Sequence, residues 1–315
     1  MTARVAPGLH VVLGAGPIGR AVASELLNHE GTNVRIVSRR GWAAKNPRME
    51  GLAADLSDPA AAIAACSGAA TVTFAVAPPY TSWPQDFPAL QEAAIRGAAE
   101  AGAVLVAVEN LYGYGRAGRL RESDVLSATT RKGRVRAEMS ARLMAAHADG
   151  TVRATAGRAS DLFGPGMAVS ALGERVWPQL LQGRAISWIG DPDVPHTFSY
   201  LPDFARALVR LGAEPQAWGR AWHIPSPPDR TLREVLEDAA RLGQTPPPRV
   251  RRMPSPVLKL LSFVSPLLRE VEEMAYQFEA PFHMDTSDYA ATFGDKATAW
   301  NAALGETLTA WREAG

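Results

Sequence analysis

In the first half of the chain, short apolar runs alternate with longer stretches whose apolar residues recur at helical spacing. The strand-like runs are Leu9–Leu13, Val34–Val37, Thr71–Ala75, Val104–Val108 and Val152–Ala156. Between them, Pro17–His29, Pro59–Cys66, Phe87–Ala101 and Lys132–Ala148 carry apolar residues with the helical period. Strand and helix in strict alternation predict βαβ units and a parallel sheet. Pro17 suits the first turn of its helix, where the N–H that proline lacks has no partner in any case.

Beyond about residue 160 the texture changes. Gly164-Pro165-Gly166, Pro225-Ser226-Pro227-Pro228 and Pro246-Pro247-Pro248 punctuate the chain, with short strands predicted at Ala185–Ile189 and Ala221–Ile224. Helices are predicted at Pro202–Gly212 and Leu232–Leu242. The expected architecture is α/β. Residues 1–160, with segments that return to them, form a doubly wound parallel sheet of Rossmann type, and about 161–315 form a smaller C-terminal α/β lobe for the substrate. Ligands of such sheets bind at the carboxyl ends of the strands.

Composition narrows the function classes. With 47% apolar residues, 21% charged residues and a net charge of +1, the chain has ordinary globular balance. Nothing in that charge points to nucleic acid or an anionic membrane. Cys66 is the only cysteine, which rules out an intrachain disulfide and a thiolate metal cluster. The six histidines are scattered with no metal-ligand spacing. The longest oily stretch, Val257 to Leu268, is interrupted by Lys259 and Pro266 and falls short of the roughly 20 residues a membrane span needs. No secretory segment precedes the first strand, so the cytoplasm is the expected compartment. Arginine far outnumbers lysine, which occurs only at 45, 132, 259 and 296, a coding bias expected of a bacterial source.

The first strand runs straight into Gly14-Ala15-Gly16-Pro17-Ile18-Gly19, a G-x-G-x-x-G between a strand and a helix. Gly14 permits the tight turn, Gly16 lets a pyrophosphate approach the backbone, and Gly19 lets the helix pack against the sheet. The second strand continues Ser38-Arg39-Arg40. It lacks the terminal carboxylate that would bind the ribose hydroxyls of NAD, and two guanidiniums stand where a 2′-phosphate would sit. One charge-assisted hydrogen bond contributes about 1.5–3 kcal/mol, enough for a ten- to hundredfold preference, so NADP(H) is favoured over NAD(H).

Further motifs follow in an order that resembles the extended short-chain dehydrogenases/reductases, the group that includes nucleotide-sugar epimerases and dehydratases. Ala54-Asp55-Leu56-Ser57-Asp58 is similar to G-D-L-x-D, which implies that Asp55 binds the adenine amino group and Leu56 packs on the ring. Ala75-Val76-Ala77 stands where the fourth strand opens onto the cofactor riboses. Asn110-Leu111-Tyr112-Gly113, Arg158 to Gly166 and His196 to Ala207 resemble later family segments. The likeness covers nearly the whole chain. In the family the helices equivalent to 87–101 and 132–148 pack into dimer bundles, so a homodimer is the expected assembly, with a small molecule as substrate.

The chain departs from the family at the catalytic residues. The family uses a Ser or Thr and then Tyr-x-x-x-Lys on the next helix, the Tyr moving the carbonyl proton and the Lys lowering its pKa. Here the Ser position is Val108. One alignment frame puts Thr130 and Arg134 at the Tyr and Lys positions, and another puts Ala128 and Lys132 there, so neither recovers the pair. The chain therefore resembles the atypical members. Lys132 is the first candidate to hold the nicotinamide ribose and polarise a carbonyl or imine. Thr130, Tyr114 and His196 are further candidates to touch substrate, and Tyr112, Glu109 and Asn110 lie at the same strand end. Residues 273–283 mix aromatics with acceptors, and core packing competes with pocket lining there.

Three functions remain open on the sequence. The leading one is an NADP-dependent oxidoreductase of a small carbonyl, enone or imine, with a non-standard proton donor. The second is a nucleotide-sugar epimerase or dehydratase. The third is an NADP-binding sensor without turnover.

Overall fold

The computed structural model describes residues 4–44, 46–253, 255–263 and 265–314. The chain folds as two compact units. The first comprises Met1–Gly113, Arg131–Arg158 and Phe204–Trp222, and the second Tyr114–Thr130, Ala159–Asp203 and His223–Gly315.

The first unit is organised by a parallel sheet. Its strands are β1 (Gly8–Leu13), β2 (Thr32–Ser38), β3 (Met49–Ala53), β4 (Ala69–Phe74) and β5 (Val104–Glu109), followed by Arg153–Arg158 and Ala221–His223. The spatial order is Ala221–His223, Arg153–Arg158, β5, β4, β1, β2, β3. β1 pairs with β2 on one side and β4 on the other, Leu13 standing opposite Val37 and Phe74. The strand order reverses there, and the crevice outside the carboxyl ends of β1 and β4 is the ligand position of such sheets.

Among the helices flanking these strands are α1 (Pro17–Leu27), α2 (Pro59–Cys66), α3 (Trp83–Glu100) and α4 (Arg131–Ala148). α2 starts on Asp58, whose carboxylate accepts from the Ala60 N–H at 2.9 Å. α2 and α3 approach closely because their contact is lined by small residues. A Cβ on Gly97 would lie 2.8 Å from Cys66 Sγ and 2.9 Å from the Ala62 carbonyl oxygen. Burial also pushes the Cys66 thiol up to about 11, which keeps it protonated and inert.

Three elements depart from the sequence reading. β3 was not predicted: it is an edge strand with no buried residue, so no apolar run marks it. The strand expected at Ala221–Ile224 in the C-terminal lobe runs over Ala221–His223 and instead extends the main sheet, the Ala156 N–H donating to Arg220 O. α3 begins at Trp83 rather than Phe87, because Pro84 falls in the first turn, where no N–H is needed.

The second unit is built from short parallel pairs and helices. Phe198–Tyr200 pairs with Asp161–Phe163, Arg249–Met253 with Ala185–Ile189, and Phe282–Met284 with Gly118–Leu120. Its core gathers Phe163, Trp177, Trp188, Tyr200, Leu236 and Leu304. The helix Leu232–Gly243 opens on a full capping box, Thr231 with Glu234. No described helix is long and apolar enough to cross a membrane.

Candidate functional site

At the end of β1 the chain turns sharply, and each glycine there has a different reason. Gly14 takes φ +114°, and its N–H donates to Val37 O at 2.8 Å. A Cβ on Gly14 would stand 2.7 Å from Ala75 O, so a side chain is excluded by conformation and by space. On Gly19 a Cβ would lie 1.9 Å from Gly14 O, which is how α1 packs onto its own turn. Gly16 is the opposite case. It is exposed, and nothing lies within 4 Å of the Cβ position.

Gly16 is also the N-cap of α1. No side chain caps the helix there, and no acidic residue sits in its first turn. Pro17 and Ile18 are half-buried in that turn. The first-turn N–H groups and the positive end of the helix dipole therefore meet neither a side-chain cap nor a carboxylate of their own turn. This geometry fits a dinucleotide pyrophosphate: an open approach over Gly16 and donors beyond it.

The adjoining strand ends carry the other candidate cofactor residues. At the end of β2 the Ser38 hydroxyl donates to Gly41 O at 2.8 Å, turning the chain so that Arg39 and Arg40 are both exposed. Neither forms an ion pair within 4 Å among the described residues. Asp55 is exposed, and its Oδ1 accepts from the Ser57 N–H and hydroxyl at 3.0 and 2.8 Å. The Ser57 bonds, backbone first, hold the Asp55 carboxyl below its ordinary pKa, so it is a ready acceptor. Leu56 is buried beside it. After β4, Ala75 and Val76 are half-buried and Ala77 is exposed.

α4 presents a column of buried polar residues. Lys132 is fully buried, and Arg136 and Ser140, one and two turns on, are buried on the same face. The frame that set Arg134 at the family's lysine position is not the inward one, because Arg134 is exposed. The inward pair is Lys132 and Arg136. Sequence reasoning missed Arg136, although the i, i+4 spacing from Lys132 carried the signal.

The Arg136 guanidinium donates to Val108 O at 2.8 Å through Nη2 and stacks on the Phe87 ring at 5.1 Å. Its buried Nε has no hydrogen-bond partner. Burial pulls the Arg136 pKa down, against the opposing charge of Glu109. Glu109 itself is committed to Arg158, 2.9 Å from its Nε, and accepts from the Ser140 hydroxyl at 3.2 Å.

Two phenols complete the cluster. The Tyr80 ring lies 5.3 Å from Lys132 Nζ, and the Tyr80 hydroxyl is 3.1 Å from that of Tyr112. Trp83 packs edge-on against Tyr80 at 5.0 Å and is fixed by its own indole N–H donating to Pro78 O. Tyr112 is held by its N–H donating to Asn110 Oδ1 at 3.2 Å. Tyr80 was not a sequence candidate. Its signal was a phenol just beyond Pro78-Pro79, on the segment leaving the carboxyl end of β4.

The remaining candidates lie in the second unit. Tyr114 is buried, with its hydroxyl 2.7 Å from His223 Nε2. His196 is buried between the rings of Phe278 and Phe282, stacked at 4.9 and 5.0 Å. Its Nε2 is 2.8 Å from Asp161 Oδ2 and its Nδ1 3.3 Å from Gln277 O, so both nitrogens face acceptors within the unit. The aromatic stretch 273–283 thus packs on His196 at two of its rings. Thr130 is half-buried immediately ahead of α4. No three His, Cys, Asp or Glu side chains among the described residues come together as a metal site.

No family model matches the chain, and no curated protein matches it in sequence. Solved structures match it along its whole length. A dTDP-glucose 4,6-dehydratase from Streptomyces venezuelae with NAD bound superposes with a TM-score of 0.78 at 16% identity, over 97% of either chain. A UDP-glucuronic acid 4-epimerase from Bacillus cereus, in complex with UDP-glucuronic acid and NAD, gives 0.78 at 14% identity over 98% of this chain and 100% of that one. MoeE5, in complex with UDP-glucose and NAD, gives 0.75 at 21% identity over 98% and 99%. With the glycine turn at the switch point and the reversed strand order, the fold of this chain is that of the extended short-chain dehydrogenases/reductases.

Proposed function

We propose that this chain is an NAD(P)-dependent enzyme that moves a hydride to or from a nucleotide-linked sugar, as an epimerase, dehydratase or related oxidoreductase. The observation that carries the cofactor assignment is Gly16, an exposed helix cap with open space at its Cβ position, no side-chain cap and no acidic residue in the first turn. The bound nicotinamide would supply the hydride chemistry. Gly14, Gly16 and Gly19 shape the pyrophosphate turn, Asp55 and Leu56 take the adenine end, and Ala75, Val76 and Ala77 line the ribose side. The sugar-nucleotide reading draws on the structural neighbours, whose ligands are UDP-glucose and UDP-glucuronic acid.

NADP is the proposed form. Arg39 and Arg40 are exposed at the end of β2, and a 2′-phosphate there would meet two guanidiniums. A reductase of a small carbonyl is the second reading, favoured by Val108 at the position where the family this chain resembles carries a Ser or Thr. The test is fluorescence titration with NADPH and NADH, in the wild type and in Arg39→Ala, followed by a turnover screen of UDP- and dTDP-hexoses against small carbonyls. Binding of NADPH with a tenfold loss in the variant, and redox turnover of a sugar nucleotide, are the expected results. Absence of binding by either dinucleotide would overturn the reading.

A further inference from the structure

We propose that the Tyr80 hydroxyl is the proton donor and acceptor of this protein, with Tyr112 as its relay and Lys132 and Arg136 as the charges that support its ionised form. The inference rests on the hydride-transfer reading above and supplies the acid–base group that the sequence lacks at the usual place.

Four observations converge. Tyr80 follows the carboxyl end of β4, the same edge as the glycine turn, where Gly14 already touches Ala75. It is 37% exposed, while Tyr114, Tyr200 and Tyr289 are buried. The Tyr112 hydroxyl at 3.1 Å gives its oxygen a partner that can both donate and accept. The Lys132 ammonium stands over the Tyr80 ring at 5.3 Å.

Arg136 adds to this. It is buried, its Nε has no hydrogen-bond partner, and among the described residues no carboxylate lies within 4 Å of it. A buried guanidinium in that condition favours negative charge nearby. Its charge acts on Glu109 and on the Tyr112 and Tyr80 phenols. A phenol beside two buried cations gives up its proton more easily than one in water, which is what the lysine of a Tyr-x-x-x-Lys pair achieves on one helix. Here the phenol comes from the β4 segment and the cations from α4.

The step balances. In reduction, a reduced nicotinamide would, when bound, supply the hydride to the carbonyl carbon. The C=O π pair takes the Tyr80 proton, which leaves an alcohol, oxidised nicotinamide and the Tyr80 phenolate. The phenolate recovers a proton from Tyr112, which regains one from water. Oxidation of a sugar hydroxyl runs the same transfers in reverse.

The first test needs no cofactor and no substrate. Tetranitromethane nitrates phenolates, so the rate of nitration at Tyr80, mapped by mass spectrometry at mildly alkaline pH, reports how readily that phenol ionises. Lys132→Met and Arg136→Met are each expected to slow it by about tenfold, the change in phenolate fraction that one pK unit produces, and Lys132→Arg to restore most of the rate. Circular dichroism checks folding, and if Arg136→Met does not fold, the Lys132 pair carries the test. Nitration in Lys132→Met within twofold of the wild type would overturn the proposal.

The second test takes the sugar nucleotide found to turn over. Tyr80→Phe is expected to lose about a hundredfold in kcat with dinucleotide binding unchanged, and wild-type kcat in that variant would equally overturn it. If no sugar nucleotide turns over, the functional reading fails and the nitration result still decides the fate of the phenol assignment.

Discussion

The glycine turn offers a perturbation whose two outcomes separate folding from binding. At Gly19 a methyl group would stand 1.9 Å from Gly14 O, against an ordinary contact of about 3.4 Å. Relieving roughly 1.5 Å of overlap with backbone requires α1 to move away from the turn, and overpacking of this kind costs about 1–3 kcal/mol or more. Gly19→Ala is therefore expected to lower stability by at least about 2 kcal/mol in urea unfolding. Gly16 has φ −70° and ψ 178°, a conformation any residue adopts, and open space at its Cβ position. The loss of a good N-cap residue and the gain from restricting the unfolded chain nearly cancel, so Gly16→Ala is expected to stay within about 0.5 kcal/mol of the wild type. Its methyl group would instead occupy the approach of the pyrophosphate. Affinity for NADPH, read by fluorescence titration, is expected to fall at least tenfold, or about 1.4 kcal/mol. A Gly16→Ala protein that binds NADPH as the wild type does would refute the assignment of this turn to the pyrophosphate.

Two further outcomes test the charges. Glu109→Gln removes the carboxylate charge that Arg158 binds in the core beside Arg136, and urea unfolding is expected to show a loss of about 3–5 kcal/mol; a loss under 1 kcal/mol would mean the pair is not the buried bridge described. Asp285 contributes to the acid limb. Burial raises its carboxyl, but the Ser287 donors and Arg119 outweigh that and hold it at about 2 rather than the ordinary 3.8. Because the folded value is the lower one, its contribution is complete above the unfolded value and is lost as pH falls from about 4 toward 2. The stability gap between wild type and Asp285→Asn should narrow across that window, and a gap independent of pH would contradict the assignment.

The sequence by itself determined the parallel sheet, the position of the dinucleotide turn and the identity of its three glycines. These features are local: strand and helix periods repeat within a dozen residues, and the roles of Gly14, Gly16 and Gly19 follow from six consecutive positions. The edge strand β3 escaped because nothing buries it, so no hydrophobic signal was written into it. The place of Ala221–His223 in the main sheet was a matter of long-range pairing, which three residues cannot announce.

The chemistry at the end of α4 was the least legible part. Which of Lys132, Arg134 and Arg136 turns inward depends on the rotation of one helix against the sheet, and single-residue shifts in alignment change the answer completely. Tyr80 and Tyr112 are 32 positions apart, and the contact between their hydroxyls exists only because β4 and β5 are neighbours in the sheet. His196 and Tyr114 read as candidate site residues on loops, yet aromatic packing and buried hydrogen bonds take up their polar atoms within the second unit. Local pattern fixed the frame and its cofactor turn; only tertiary packing decided which polar side chains face the sheet end, because that choice is made by contacts between residues far apart in the chain.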